Sequence, residues 1–361
     1  MTVWNVREIT EQARRRARDS GLPVIDLGQG TPTDPTPQVV QAALAAAADA
    51  PGYPPAQGTP ELRGAYSEWS GRIFGATVDP EYVIATVGSK ELIATLPLLM
   101  GLTSADIVVV PELAYPTYRA GADLAGCRVI ATDSLTALGP ERPAIIWVNS
   151  PGNPTGQVLP AEHLAKMIAW ARERDALLIS DECYVELTGP GVSAPSVLSP
   201  EVNGGSLDNI LAVHSVSKRS SMAGYRCGFV AGDGRRVADL LRRRRDAGLI
   251  VAAPVQAAAV AALRDTDHVA DVRRRYTNRR ELLGGAMRAA GFRVDHSEAG
   301  LFVWAARDGA TDEELVAQLA DLGIVVAPGG FYGPSGRSHI RVALTEPDDL
   351  LAEAARRLRA H

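Results

Sequence analysis

Three cysteines in 361 residues, Cys127, Cys183 and Cys227, are too scattered and odd in number for a disulfide framework or a zinc site. They suit a reducing compartment, and a cytoplasmic location is expected. No apolar run reaches the length that crosses a bilayer, so no membrane association is expected. The opening stretch, MTVWNVREITEQARRRARDSG, has the spacing of an amphipathic helix and lacks the apolar core of a signal peptide. Positive charge is not in excess: 37 Lys and Arg stand against 42 Asp and Glu, a formal net charge of −5. The runs Arg242–Arg245 and Arg273–Arg275 therefore read as solvated helix faces, and no nucleic-acid partner is expected. Internal repeats, low-complexity tracts and long linkers are lacking too. What is present is an ordinary globular composition, 46% hydrophobic and 22% charged, with enough chain for a large core.

The chemistry gathers around Lys218. From Val213 the chain reads VHSVSKRSSMAGYRCGFV, and the apolar residues before it predict a buried strand ending just ahead of His214. Ser215 and Ser217 precede the lysine, and a Gly-Tyr-Arg-Cys-Gly turn with Arg226 follows it. Such a lysine suits an amine that attacks a carbonyl beside a bound phosphate, because lysine is the side chain that forms Schiff bases. Serine hydroxyls and the planar fork of Arg226 would hold the phosphate by charge-assisted hydrogen bonds. An isolated Ser-x-Ser-Lys is equally a solvated loop.

Other candidates follow in chain order. Val24–Leu27 reads as a short strand leading into GQGTPTDPTP, where Gly30 either lets a ligand carboxylate reach its amide or simply makes a turn. Tyr53 lies in a proline-rich loop before a helix that starts near Pro60. From Tyr82 strands and helices alternate, which predicts a mostly parallel sheet covered by helices on both faces. Strand 82–87 leads to Gly88-Ser89-Lys90 at the start of a helix over 91–100, where backbone amides make an anion site. Tyr115 follows strand 107–110 and is placed either to stack on a flat heteroaromatic ring or to fill the core. Strand 145–148 runs into NSPGNPTG with Asn153, and strand 177–180 ends at Asp181, three residues before Tyr184. A lone carboxylate at a buried strand end is costly, so Asp181 either pairs with a pyridinium nitrogen or caps a helix. Residues 235–247 and the stretch onward to about 290 read as helical, and 292–361 as an α+β lobe containing Arg341 in HIRVAL. The expected division is a large cofactor-binding domain over 51–248 and a small domain built from 1–50 and 249–361.

S-x-S-K followed by G-Y-R-x-G resembles the cofactor-lysine segment of class I/II aminotransferases, which are fold-type I pyridoxal-phosphate enzymes. The likeness continues in matching order over nearly the whole chain and implies an α/β fold with pyridoxal 5'-phosphate as cofactor. It further implies that Lys218 is the Schiff-base lysine and general acid–base group, and that Asp181 partners the pyridine nitrogen. By the same likeness Tyr184 and Asn153 bond the ring oxygen and Tyr115 stacks on the ring. Ser89, Lys90, Ser215, Ser217 and Arg226 are implied to hold the phosphate. Tyr53 resembles the tyrosine that reaches the neighbouring subunit's phosphate, which implies a homodimer with shared sites. Gly30, Asn153 and Arg341 are implied to receive the substrate α-carboxylate. The implied reaction moves an amino group between an α-amino acid and a 2-oxo acid, with glutamate and 2-oxoglutarate as one pair. ADAPGYPPAQGTPELR, VGSKELIATLPLL, SPGNPTGQVLP and APGGFYGPSGRSHIRVALT are similar to actinobacterial N-succinyldiaminopimelate aminotransferases of lysine biosynthesis. Two features part from them: a proline- and tryptophan-containing opening segment is missing, and Thr95 stands where a bulkier aromatic is expected. Another long polar donor, such as a guanidino amino acid of secondary metabolism, is therefore an alternative. So is a lyase or oxidase on this scaffold, or a cofactor-sensing regulator.

Overall fold

The computed structural model describes residues 3–360; Met1, Thr2 and His361, including the first two residues of the expected N-terminal helix, lie outside the described residues. Along the chain come α1 (Val3–Asp19), β1 (Ile25–Asp26), α2 (Gln38–Ala46), α3 (Pro60–Phe74), β2 (Val83–Thr86) and α4 (Ser89–Leu99). Next are β3 (Ile107–Val110), α5 (Thr117–Leu124), β4 (Arg128–Ala131), β5 (Ile145–Asn149), α6 (Ala161–Glu173) and β6 (Leu177–Asp181). Then follow α7 (Pro200–Asn203), β7 (Ile210–Ser215), α8 (Val216–Arg219), β8 (Gly228–Gly232), α9 (Gly234–Asp246), α10 (Ala253–Arg264) and α11 (Asp267–Ala289). The chain closes with β9 (Arg293–Asp295), β10 (Phe302–Ala306), α12 (Asp312–Asp321), β11 (Ile324–Val325), β12 (Ala327–Pro328), β13 (His339–Ala343) and α13 (Asp348–Arg359).

Seven strands form one sheet in the order β2-β8-β7-β6-β5-β3-β4, parallel except for β8, which runs antiparallel to both neighbours. The parallel strands β3, β5, β6 and β7 carry near-continuous apolar runs because both faces are covered. Alternation sends Ile146, Val148, Leu178 and Ala212 to one face, against α3, α6 and α10. Ile145, Trp147, Ile179 and Val213 go to the other face, against α4, α5 and α9. This is the expected α/β architecture.

A second buried cluster joins the two ends of the chain. Beta strand β1 pairs in parallel with β11, and β12-β13-β10-β9 form an antiparallel sheet packed by α1, α11, α12 and α13. The expected division at 51–248 leaves out two elements that pack on the large sheet: Val40 of α2 and Ala258 of α10 are buried in its cluster, so we propose the division with α2 and α10 on the large side. The helical stretch expected to continue to about 290 is broken at Asp265, which adopts extended backbone (φ −79°, ψ 122°) between α10 and α11. Apolar spacing continues across that break, so periodicity alone reads it as one helix.

Thr95 sits on α4 and does not line the site described below. Its Oγ1 donates to Glu91 Oε1 at 3.0 Å, and Glu91 in turn receives Nη1 and Nη2 of Arg244, each at 2.9 Å. The Arg244 side chain is 0% exposed, and Glu91 also accepts the Val87 amide at 3.2 Å, fastening the turn that opens α4. Arg244→Ala should therefore lower unfolding stability by about 3–5 kcal/mol, since an unpaired carboxylate is left behind. Denaturant unfolding checks this: a loss below about 1 kcal/mol would make the pair dispensable, as exposed pairs are.

Candidate active site

Beta strands β5, β6 and β7 end at one edge of the large sheet. Asn149 pairs with Asp181 and Asp181 with Val213 in register, so Asn149, Asp181 and Ser215 come together at the strands' carboxyl ends. Ligands gather there in open α/β sheets. A cleft of about 1150 Å³ opens at this edge. Gly30, Ser89, Lys90, Tyr115, Asn153, Asp181, Tyr184, Ser215, Ser217, Lys218, Arg226 and Arg341 all line it. Every expected site residue is thus assembled except Tyr53. That side chain is 99% exposed and lies outside the cleft of its own chain.

The lysine segment folds as local chemistry suggests. Ser215 caps α8, its Oγ accepting the Ser217 amide at 3.1 Å and lying 2.8 Å from Ser217 Oγ. Arg226 takes left-handed backbone (φ 58°) and donates Nη1 to Ala223 O at 2.8 Å and Nη2 to Val87 O at 3.3 Å. Its guanidinium lies directly over Gly88. A Cβ there would sit 2.3 Å from Arg226 Nη2, and Gly88 has φ +75°, so only glycine fits. Ser89 at the first turn of α4, the two serines and Arg226 line the same cleft, and a helix N-terminus with an arginine suits an anion.

Lys218 Nζ donates to Gly30 O at 2.5 Å, and burial lowers its pKa to about 8. Arg341 is buried, its Nη1 donating to Asn153 Oδ1 at 3.0 Å and Nη2 to Gly28 O at 2.8 Å, while Nε has no partner. Its guanidinium lies 4.1 Å from the Phe302 ring and 5.1 Å from the Tyr332 ring. Gly30 is required beside it, because a Cβ would come within 2.6 Å of Phe302. Lys218, Arg226 and Arg341 thus donate to neutral oxygens, an arrangement that calls for anionic ligands.

Asp181 has the complementary need. It is buried, and that burial raises its carboxyl pKa against the pull of hydrogen bonds from Cys183 and Tyr118. The Cys183 amide donates to Oδ1 at 3.2 Å and Tyr118 Oη to Oδ2 at 2.7 Å. A cationic ring nitrogen set against it would hold it ionised. Pyridoxal phosphate fits the donor set as a whole: phosphate at Ser89, Ser215, Ser217 and Arg226, aldehyde at Lys218, pyridine nitrogen at Asp181.

Sequence reading passed over Tyr118, Cys183, Phe302 and Tyr332, all of which line the cleft. Cys183 could have been found, since it lies between Asp181 and Tyr184. Tyr118 had a signal as well, standing three residues after Tyr115 in AYPTY. Phe302 and Tyr332 had none.

The family model Aminotransferase class I and II matches residues 23–358. A probable aminotransferase of Mycobacterium tuberculosis is 53% identical over 93% of this chain and 80% of its own length. A 4-dedimethylamino-4-oxo-anhydrotetracycline transaminase of Streptomyces rimosus is 50% identical over 98% of each chain. Among solved structures, a probable N-succinyldiaminopimelate aminotransferase of Thermus thermophilus superposes with a TM-score of 0.89 at 30% identity, covering 98% of this chain and 99% of that one. The chain belongs to the class I and II aminotransferases and is a pyridoxal-phosphate-dependent enzyme.

Proposed function

We propose that this aminotransferase exchanges the amino group of a long, polar α-amino acid for the oxo group of a 2-oxo acid, with glutamate and 2-oxoglutarate as one pair. N-succinyl-L,L-2,6-diaminopimelate is the donor proposed first. The observation that carries this reading is Arg341, a buried guanidinium held only by neutral oxygens and flanked by two rings. A substrate α-carboxylate supplies the missing charge. The cleft also reaches Thr10, Glu11 and Arg14 of α1, a polar outer wall suited to a distal polar group.

Pyridoxal phosphate, when bound, would supply the electron sink for transamination. The residues do the rest. Arg341 and Asn153 orient the substrate carboxylate, and the Asn153 amide nitrogen stays free for the ring oxygen because Oδ1 is taken by Arg341. Lys218 carries the α-proton as general base and then acid, a task helped by a pKa of about 8. Asp181 would face the ring nitrogen and favour its protonated form, and Tyr184 meets Phe302 edge-on at 5.7 Å.

Arg341→Lys keeps the charge and loses the planar fork. It should raise KM for donor and acceptor by a similar factor, about tenfold or more, with a smaller change in kcat. Steady-state kinetics with both partners varied test it, and a rise for one partner alone would restrict Arg341 to that substrate. The distal end is tested by kcat/KM for N-succinyl-diaminopimelate against glutamate, ornithine, arginine and aromatic donors. A preference of about 100-fold, ~2.7 kcal/mol, supports the first donor. A second reading rests on the Streptomyces rimosus relative, which matches end to end at 50% identity. On it the acceptor is a polycyclic ketone of secondary metabolism, and such a ketone belongs in the same panel.

We also propose a cytoplasmic homodimer in which Tyr53, fully exposed in the single chain, reaches the partner's phosphate position. Mixing inactive Lys218→Ala chains with Tyr53→Phe chains should restore about a quarter of wild-type activity at full exchange, because half of the dimers are hybrids with one intact site. No recovery, with Tyr53→Phe impaired on its own, places Tyr53 within its own subunit's chemistry.

A further inference from the structure

Tyr118 is a fully buried tyrosine in the first turn of α5, and its ring is fixed on two sides. It stacks on Trp147 with centroids 4.9 Å apart and planes 21° apart, and meets Tyr115 edge-on at 5.9 Å. Its hydroxyl donates to Asp181 Oδ2 at 2.7 Å, while the Cys183 amide donates to Oδ1 at 3.2 Å. The Cys183 thiol is a further donor to the same carboxylate, so Tyr118 holds Oδ2 while Cys183 acts through both its amide and its side chain.

We propose that Tyr118 is a positioning residue for the transamination chemistry, its hydroxyl keeping the proton shared between Asp181 and the cofactor's ring nitrogen on the nitrogen. A carboxylate that accepts a strong hydrogen bond is a weaker base, so it leaves a shared proton with its partner. Without that donor the desolvated Asp181 competes better for the proton, and the ring loses electron-withdrawing power. Burial holds the Tyr118 phenol well above its ordinary pKa, so the hydroxyl remains a donor throughout the working range. Trp147 and Tyr115 act through Tyr118 by fixing where that donor points. The inference rests on the assignment of Asp181 to the ring nitrogen.

The test reconstitutes apo-protein with pyridoxal phosphate labelled with ¹⁵N in the ring and reads the ring-nitrogen resonance. Wild type is compared with Tyr118→Phe, with a fluorinated tyrosine incorporated at position 118, and with Asp181→Asn. Tyr118→Phe should move the resonance towards the unprotonated pyridine value and lower kcat about tenfold, the effect of about one pKa unit of basicity. Its cofactor dissociation constant should stay within about twofold, since the phosphate contacts are untouched. The fluorinated tyrosine, a stronger donor of nearly the same shape, should move the resonance the opposite way. If Tyr118→Phe does not fold, the fluorinated protein carries the test. A resonance unmoved by the Tyr118 changes but displaced by Asp181→Asn overturns the inference and leaves Asp181 in its role. A resonance unmoved by Asp181→Asn overturns the assignment of Asp181 itself.

Discussion

A Lys218→Ala protein should lose transamination by about four orders of magnitude, the upper range for a positioned acid–base group. It should also take up pyridoxal phosphate without forming the borohydride-reducible link that wild type forms. Retention of wild-type turnover would remove Lys218 from the chemistry altogether. The environment of this lysine adds a second readout. Its pKa is pushed down to about 8, chiefly by burial and also by the Arg341 and Arg226 charges. The neutral amine is the nucleophile, so a lowered pKa makes it reactive at lower pH. Lysine occurs only at positions 90, 166 and 218. Competitive labelling of the apo-protein should therefore give a Lys218 rate that rises through pH about 8 and then levels. An ordinary exposed lysine rises through about 10.4. A Lys218 midpoint near that value would mean that the cleft does not desolvate the amine.

Asp181→Asn should have the next largest effect. The replacement keeps the shape and the Cys183 amide contact but removes the charge that a ring cation needs in a buried place. Stranding one member of a buried charge pair costs about 3–5 kcal/mol, which corresponds to roughly 10²–10⁴ in rate when the pair matters in the transition state. Cofactor binding through Arg226 and the serines should persist, so the variant should remain loaded while nearly inactive. Turnover within about threefold of wild type, less than ~0.7 kcal/mol, would make Asp181 a structural cap. The two variants also separate the two roles: Lys218→Ala removes the covalent link, and Asp181→Asn leaves it in place.

Which parts of this site were legible in the chain follows from distance along it. Ser215, Ser217, Lys218 and Arg226 fall within twelve positions, and a strand end, a cap and a turn are enough to bring them together. Asp181 showed itself as a charge at the end of an apolar strand. Gly30 and Arg341 were drawn from a family likeness, because no local rule links a loop near the start with a strand near the end. They line one cleft because β1 pairs with β11 and the chain's two ends form one buried cluster. Thr95 shows the opposite error. As a departure from the expected aromatic it bore on side-chain specificity, but helix α4 turns it towards Glu91, which pairs with Arg244 on a helix 153 positions away.

The sequence by itself determined the alternation of strands and helices and the clustering of Ser215, Ser217, Lys218 and Arg226 in one strand-end segment. Both depend on neighbours within a dozen or so residues, where periodicity, capping and turn chemistry act. Tertiary structure alone decided that Tyr118 holds Asp181, that Arg341 is clamped between Phe302 and Tyr332, and that α1 walls the outer cleft. Tyr118 and Asp181 are 63 positions apart, and α1 lies hundreds of positions from Arg341 across the cleft. Such contacts arise from how buried faces pack, which no short window of sequence encodes.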